Sequence, residues 1–403
     1  MHLKANRTEQ HLIKKSNPIW EVVDEYCFRS KNVYNYANYI IRQEFINNGK
    51  WIRHHELDKM IQQSDCYKEL GSQASQNILK VLDQNWRSFF KTIKDWKKNP
   101  SKYLGRPKLP KYKTKDGRQI FILKNIQCAI NNGVFRISFK PFKGYSVLTK
   151  ANGRLIQCRF VPRYDSYVME IVYETDVPDK RAESSYIASI DLGVDNFATI
   201  TNNIGLQPIV IKGKVIKSMN QYYNKKKARI QSELMIKNQQ YWSKRLQRLS
   251  IKRMHKIKDW IHKASKTVID YCLENQIDTI VCGYNTGWKQ EVNLSKTSNQ
   301  NFVYIPYNMF VRQLEYKCEN VGIRFILTEE SYTSGTSFLD GEIPCKENYD
   351  KSRRISRGLF QSGQSLINAD VNGSYQIMMK VFPNAFANGI EGVGCHPMSM
   401  KIA

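Results

Sequence analysis

The sequence predicts a multidomain α+β protein, and three changes of pattern along it make that prediction. Residues 20–98 carry apolar side chains at helical spacing. Residues 119–174 alternate in short strand-like runs between turns. From Tyr186 onward, β-branched runs alternate with amphipathic helical stretches. A helical block, a small antiparallel β-barrel and an α/β half are therefore expected in that order.

Val33, Tyr36, Ala37, Ile40 and Ile41 form the first helical stripe, with Ser30 as a candidate cap. Ile78, Leu82, Trp86, Phe89, Phe90, Ile93 and Trp96 form the second, and both stripes read as core. The Lys-dense segment GRPKLPKYK follows as an extended connector, because its prolines cannot continue a helix. RQIFILK, GVFRISF, LIQCRFV and YVMEIVY then read as strands, with Asn131-Asn132-Gly133 and Ala151-Asn152-Gly153 as turns. Three more runs come in close succession: Tyr186–Ile190, Phe197–Thr201 and Ile209–Ile211. The basic stretch 217–276 is helical in its second half, where Ile257, Trp260, Ile261, Ala264 and Val268 share a face. TIVCGYN, the helix Phe310–Val321 and IRFILTEE form a strand–helix–strand unit, which adds two parallel strands to the preceding three. LINADVNGSYQI sets Asp370 between a short strand and a helix. Beyond Phe382 the Asn- and Gly-rich residues 383–403 have little to bury and are expected to form a flexible tail.

Charge points to the partner. The chain has 63 Lys+Arg against 36 Asp+Glu, a net +27 over 403 residues. That excess suits a polyanion, nucleic acid above all. Aromatics make up 12% of the chain, 23 of them Tyr, and they are interleaved with the basic residues in NYANYIIRQ and KDWKKNPSKYLGRPKLPKYK. That mixture suits phosphate contact plus base stacking. No run approaches the roughly 18 apolar residues of a membrane span, and the polar start is no signal peptide. Nine scattered cysteines without a close pair read as reduced thiols in a cytoplasmic protein, with nucleoid association expected through DNA binding.

Asp191 closes the first of the three short strands, with Gly193 two residues on, and Asp370 opens the last helix. A carboxylate on the first of three tightly joined strands is how an RNase H-like fold begins a metal-dependent nuclease site. Read alone, Asp191 also suits a turn former or a helix cap. Phosphodiester cleavage with two divalent ions needs two or three carboxylates brought together from distant positions, and all-oxygen ligation suits Mg²⁺ or Mn²⁺. The third acid is expected at the end of a neighbouring parallel strand.

NVYNYANYIIRQ, GRPKLPKY, SIDLGVDNFATI, HKASKTVIDY, GWKQEVNL, EESYTSGTSFLDGE, RRISRGLF and INADVNG, in this order and spacing, resemble the TnpB family. These are transposon-encoded, RNA-guided DNA nucleases related to compact type V CRISPR effectors. The resemblance implies a wedge-type barrel over 1–19 and 99–185 and an inserted helical recognition domain over 20–98. It also implies a RuvC nuclease domain over 186–382, with a basic helical insert at 217–276 and a target-nucleic-acid-binding hairpin at 332–366. The implied partners are a guide RNA from the transposon's right end and double-stranded target DNA, with no membrane. The basic clusters supply the candidate nucleic-acid contacts: Arg42, Lys97, Lys98, Arg106, Lys108, Lys111, Lys113, Lys225, Lys226, Arg229, Arg245, Arg253, Lys263, Lys289, Arg353, Arg354 and Arg357.

Three departures from the family pattern stand out. Gly283 occupies the position of the second catalytic Glu, so the third metal ligand is expected from Glu330 or Glu329 at the end of the next strand, with Glu291 as a further candidate. Ser337 and Asp340 occupy the positions of the first CxxC pair, and Cys345 stands alone before Asp370, so no structural zinc is expected. Packing of Phe338, Leu339, Leu359 and Phe360 would hold that hairpin instead. Ser374 and Gln376 replace a commoner Ala and Asn and read as drift. The implied activity is a guide-dependent DNA endonuclease using two Mg²⁺ (or Mn²⁺) ions at Asp191, Glu330 and Asp370. The alternatives are a nuclease-inactive RNA-guided repressor and a transposase acting without RNA.

Overall fold

The computed structural model describes residues 4–181, 185–285, 305–387, 389 and 392–402. Lys289 and Glu291, with the rest of GWKQEVNL beyond Asn285, lie outside the described residues. The chain divides into two compact units that part between Asp176 and Val177.

In the first unit, strand β1 (Lys4–Ile13) precedes the helices α1 (Trp20–Asn48), α2 (His54–Ile61), α3 (Asp65–Leu70) and α4 (Ser72–Lys98). Ser30 does not cap a helix. It lies buried inside α1, ten residues past the start at Trp20. The two stripes pack as expected, with Val33, Ala37 and Ile41 meeting Ile78, Leu82 and Trp86 in one core. Buried Asn38 joins three parts. It accepts from the Trp86 indole N–H at 3.1 Å and donates to the Pro110 carbonyl of the connector at 3.0 Å.

The strands of this unit are β2 (Phe121–Lys124), β3 (Cys128–Asn131), β4 (Val134–Ile137), β5 (Ser146–Leu148), β6 (Arg154–Pro162) and β7 (Tyr167–Asp176). They form a four-stranded antiparallel sheet in the order β1-β7-β6-β2 and a separate sheet in the order β3-β4-β5. The expected closed barrel is not seen. Among the described residues no ladder joins the two sheets, and β2 to β5 are three or four residues long, too short to carry the pairing around a closed wall. Stacked rings of Phe121, Phe142 and Phe160 fill the interior.

The second unit is built on β8 (Ile187–Asp191), β9 (Asn196–Asn202), β10 (Ile209–Lys212), β11 (Thr279–Gly283), β12 (Arg324–Thr328) and β15 (Met398–Met400), in the sheet order β12-β11-β8-β9-β10-β15. β8, β9 and β10 pair antiparallel, while β11 runs parallel to both β8 and β12. The carboxyl ends of β8, β11 and β12 therefore share one edge. Helices α5 (Lys214–Asn238) and α6 (Lys244–Glu274) span the basic stretch, so its first half is helical too. Ser243 caps α6 by accepting from the Leu246 N–H at 3.2 Å. Helix α7 (Tyr307–Val321) lies between β11 and β12 in the chain.

Helix α8 (Ala369–Val381) lies close against β8 and β9 because its facing residues are small. Ser374 is not drift. Its hydroxyl donates to the Ser189 carbonyl at 3.0 Å, the Ser189 hydroxyl donates to the Ser374 carbonyl at 2.6 Å, and Thr201 completes the buried cluster. Gln376 is also engaged, donating to the Glu342 carbonyl at 3.0 Å. The hairpin of β13 (Leu359–Ser362) and β14 (Ser365–Asn368) packs Phe360 with Phe338 and Tyr375, and Leu339 lies against them. Leu359 is only half-buried. The buried Ser337 and Ser362 hydroxyls bond to each other, and Arg353 forks onto Glu342 with two bonds of 2.8 Å.

The expected flexible tail has structure. β15 pairs parallel with β10, and Phe386 sets its ring 4.9 Å from Phe338 and 5.6 Å from Tyr375. Met400 and Ile402 supply apolar surface that the Asn- and Gly-rich composition concealed. Phe386→Ala should lower the unfolding free energy by about 2 kcal/mol, somewhat below the cost for a fully buried Phe. Urea denaturation checks this, and an unchanged midpoint would mean that the tail packs on nothing.

Candidate active site

Three carboxylates lie toward the carboxyl edge of the second unit's sheet. Asp191 ends β8, Glu330 lies two residues past β12, and Asp370 sits in the first turn of α8. β11 lies between β12 and β8, and it ends in Gly283. A Cβ at position 283 would stand 2.6 Å from Glu330 Oε1, 2.7 Å from its Cγ and 2.5 Å from Ile377 Cδ1. Glu330 therefore occupies the space that a side chain at 283 would take. Adjacent strands are about 4.8 Å apart, so an acid beginning beyond β12 must lean over β11 to approach β8, and glycine leaves that path open.

Asn285 fixes this lean. Its Oδ1 accepts from the Glu330 backbone N–H at 2.9 Å, and its Nδ2 reaches Glu330 Oε2 at 3.5 Å. Glu330 Oε1 is buried and has no hydrogen-bond partner. Burial, and then the charge of Glu329, push the Glu330 carboxyl up to about 7. Asp191 is also held well above the carboxylate range, by burial first and then by the charges of Glu330 and Asp370. Its carboxylate lies against α8, where a Cβ on Gly373 would come within 3.3 Å of Oδ2. Asn196 donates to Asp370 Oδ2 at 2.6 Å, and the Arg354 guanidinium stands 3.7 Å from Oδ1. Below them the Tyr307 hydroxyl donates to the Gly193 carbonyl at 2.8 Å.

Glu329 faces elsewhere. It is exposed, pairs with Lys380 of α8 and accepts from Ser331, and these bonds pull its carboxyl down to about 2. Of the two sequence candidates, only Glu330 turns toward Asp191.

Among the described residues, no group of three or more His, Cys, Asp and Glu side chains is arranged to hold a metal ion as it stands. The donor set nevertheless suits a hard divalent cation: carboxylate oxygens only, one of them buried without a partner, and two carboxyls pushed toward the neutral form by desolvation and by neighbouring negative charge. Without an ion between them, such acids repel. Asp370 meanwhile satisfies its oxygens with Asn196 and Arg354. Asn196 and Asn285 were missed in the sequence. The available signal was an amide placed within a few residues of a strand-ending acid or of the gap left by one.

The basic candidates separate into distinct settings. Arg42, Lys97, Arg106, Lys108 and Lys111 line one groove of the first unit. Lys98 is exposed at the end of α4, and Lys113 lies over the Tyr34 ring at 5.5 Å. Lys225, Lys226, Arg229 and Arg245 are exposed on α5 and α6, where Glu233 holds Arg229 at 3.0 Å and Arg245 at 3.2 Å. Lys263 is exposed near Asp259. Arg253 turns inward instead, donating to Asn220 at 2.8 Å and lying over Tyr223. Arg353 clasps Glu342, and Arg357 pairs with Asp195, which also takes Lys217.

Residues 170–289 match the family model OrfB_IS605, described as a probable transposase, and residues 307–377 match the Cas12f1-like TNB domain. The chain is a TnpB-like relative of the compact type V effectors. Two solved structures are similar to it. A Cas12f1–sgRNA–target DNA complex is 16% identical, with a TM-score of 0.37 over 92% of this chain and 98% of that one. A CRISPR–Cas12f ternary complex is 14% identical, with a TM-score of 0.40 over 89% and 80%. Comparison with curated proteins found no match. Among the described residues of this TnpB-like chain, no helix is long and apolar enough to cross a membrane.

The two glutamates should differ in stability as well as direction. A carboxyl raised to about 7 leaves the folded state with more bound protons than the unfolded one between pH 4.5 and 7, so Glu330 makes stability fall as pH rises through that window. With divalent ions chelated, Glu330→Gln should raise stability above pH 7 by about 1–2 kcal/mol and flatten the pH dependence. Glu329→Gln should change stability by less than about 1 kcal/mol, since its ion pair is exposed. Denaturation at pH 5 and pH 8 distinguishes them, and equal effects would contradict the inward placement of Glu330.

Proposed function

We propose that the protein is an RNA-guided DNA endonuclease, cutting phosphodiester bonds in an RNase H-like site of RuvC type built from Asp191, Glu330 and Asp370. The observation that carries this reading is Glu330 filling the volume left by Gly283, which supports a third acid moved from β11 to the end of β12. Relatedness to TnpB and the sheet order of the second unit support it further. On this reading the wedge-type unit keeps unclosed sheets, and the nuclease unit runs on through β15, past the limit of 382 that the resemblance implies. The guide comes from the transposon's right end, and the target is double-stranded DNA.

Asp191, Glu330 and Asp370 would hold the pair of Mg²⁺ or Mn²⁺ ions, which when bound supply charge neutralisation at the phosphate and a water of lowered pKa. The chain's own groups prepare the site. Asn285 orients Glu330, Asn196 orients Asp370, and Ser189 with Ser374 fixes the spacing between β8 and α8. Arg354 holds a positive charge at the mouth, where the scissile phosphate must enter. Guide pairing reads the target sequence, so the acids serve cleavage and not recognition.

The test uses the full chain with its co-purified RNA, Mg²⁺ and a matched duplex. Asp191→Ala, Asp370→Ala and Glu330→Gln should each lose cleavage by about two orders of magnitude or more while retaining RNA and target binding. Glu329→Gln should cut nearly normally. Loss of target binding together with cleavage would make the acids structural. An unmutated protein that binds the matched target without cutting would be the nuclease-inactive repressor, and cutting at transposon ends without RNA would make it a transposase.

A further inference from the structure

In the first unit the connector crosses α1 and α4, and a groove of about 710 Å³ runs beneath it. Its floor is aromatic. Phe45 comes from α1, and Phe89 and Phe90 come from α4, with centroids 5.5 Å apart for Phe45–Phe90 and 5.2 Å for Phe89–Phe90. Its rim is cationic, with Arg42, Lys97, Arg106, Lys108 and Lys111, and no acid lines it. Among the described residues, none of these five cations makes an ion pair. Asp95, near the end of α4, is already taken by Lys102 at 2.9 Å and by the Tyr103 hydroxyl.

The groove does not depend on a ligand for its shape. The Pro110 carbonyl accepts from Asn38 at 3.0 Å and from Arg42 at 3.3 Å. Asn35 brackets Lys113 with bonds of 2.9 and 2.8 Å. The backbone on the far side of the groove is thus tied to α1, while the Arg106, Lys108 and Lys111 side chains remain unpaired.

We infer that this groove takes unpaired nucleotides of the guide RNA, with phosphates on the rim cations and a base against the phenylalanine floor. The inference rests on the RNA-guided reading above. The volume falls in the range of small-molecule sites, about 300–1,000 Å³. Cations alone would suit any polyanion, but rings beneath them add stacking, which needs an exposed base face. A duplex hides its base faces. Guide RNA presents unpaired nucleotides before any target is met, whereas target DNA is paired until opened. An acidic peptide would use the rim and leave the floor idle.

The test measures binding of the full chain to an oligouridylate of about 12 nucleotides and to a duplex RNA of equal length, across a salt series. Removing three phosphate contacts with Lys97→Ala/Arg106→Ala/Lys108→Ala should cost oligouridylate affinity about tenfold or more and reduce the log K against log salt slope by about 2. Phe90→Leu, which keeps the floor apolar, should weaken oligouridylate binding about fivefold with the slope unchanged. Both variants should bind duplex RNA within about twofold of the unmutated chain and keep its circular dichroism. Equal losses on single strand and duplex would reduce the groove to general phosphate contact and overturn the inference. So would a loss confined to single-stranded DNA, or tight polyglutamate binding that vanishes in the triple variant. If the unmutated chain binds oligouridylate and the triple variant binds it equally, the groove assignment alone fails. If the unmutated chain binds no RNA, the RNA-guided reading fails with it.

Discussion

Carboxylates withdrawn from water at the edge of one sheet cannot all be ionised without a countercharge, and the second unit is organised around that constraint. Asp191 and Glu330 are pushed toward the neutral form by desolvation and by neighbouring negative charge. Several close neighbours make room for the acids or restrain them. Gly283 opens the path by which Glu330 leans over β11, and Gly373 lets α8 approach Asp191. Asn285 and Asn196 bind the acids without adding charge, and Arg354 supplies a partial countercharge. Such a site is strained electrostatically, and on the proposed reading a divalent cation would relieve the repulsion between the acids.

The same physics explains why the helix closing the site carries small and hydroxylated residues. An Ala at 374 would pack and leave the Ser189–Thr201 bond and the bond to the 374 carbonyl in place, but it would remove the Ser374 hydroxyl that donates to the Ser189 carbonyl and closes the cluster. Ser374 thus replaces apolar contact with a small satisfied network that fixes the distance between β8 and α8. In the neighbouring hairpin, the Ser337–Ser362 bond and the Arg353–Glu342 fork join loops beside the Phe338 and Phe360 core. Arg353 is therefore an internal clasp, whereas Arg354 stands beside Asp370 and Arg357 pairs with Asp195.

The net charge of +27 is unevenly distributed in its effect. Some cations are committed to internal work, as Arg253 is between α5 and α6 and Arg353 is at Glu342. Others stay uncompensated, above all those around the aromatic groove of the first unit. Composition alone treats these alike. Only their surroundings separate a cation that holds the fold from one available to a phosphate.

Elements defined by local periodicity were legible in the sequence: the helices of residues 20–98, the strands from Ile187 to Lys212, and the strand–helix–strand unit that sets β11 and β12 parallel to β8. Asp191 and Asp370 could be placed at element ends for the same reason, because turn and strand signals lie within a few residues of them. Features set by contacts distant in sequence were not legible. Sheet closure in the first unit depends on whether strand edges meet, and they do not. The tail joins β10 across nearly two hundred positions of chain. The choice between Glu329 and Glu330 lay beyond the last paired residue of β12, where alternation no longer dictates facing. It was decided by space and charge. The void at Gly283 receives one glutamate, and Lys380 holds the other away from the site.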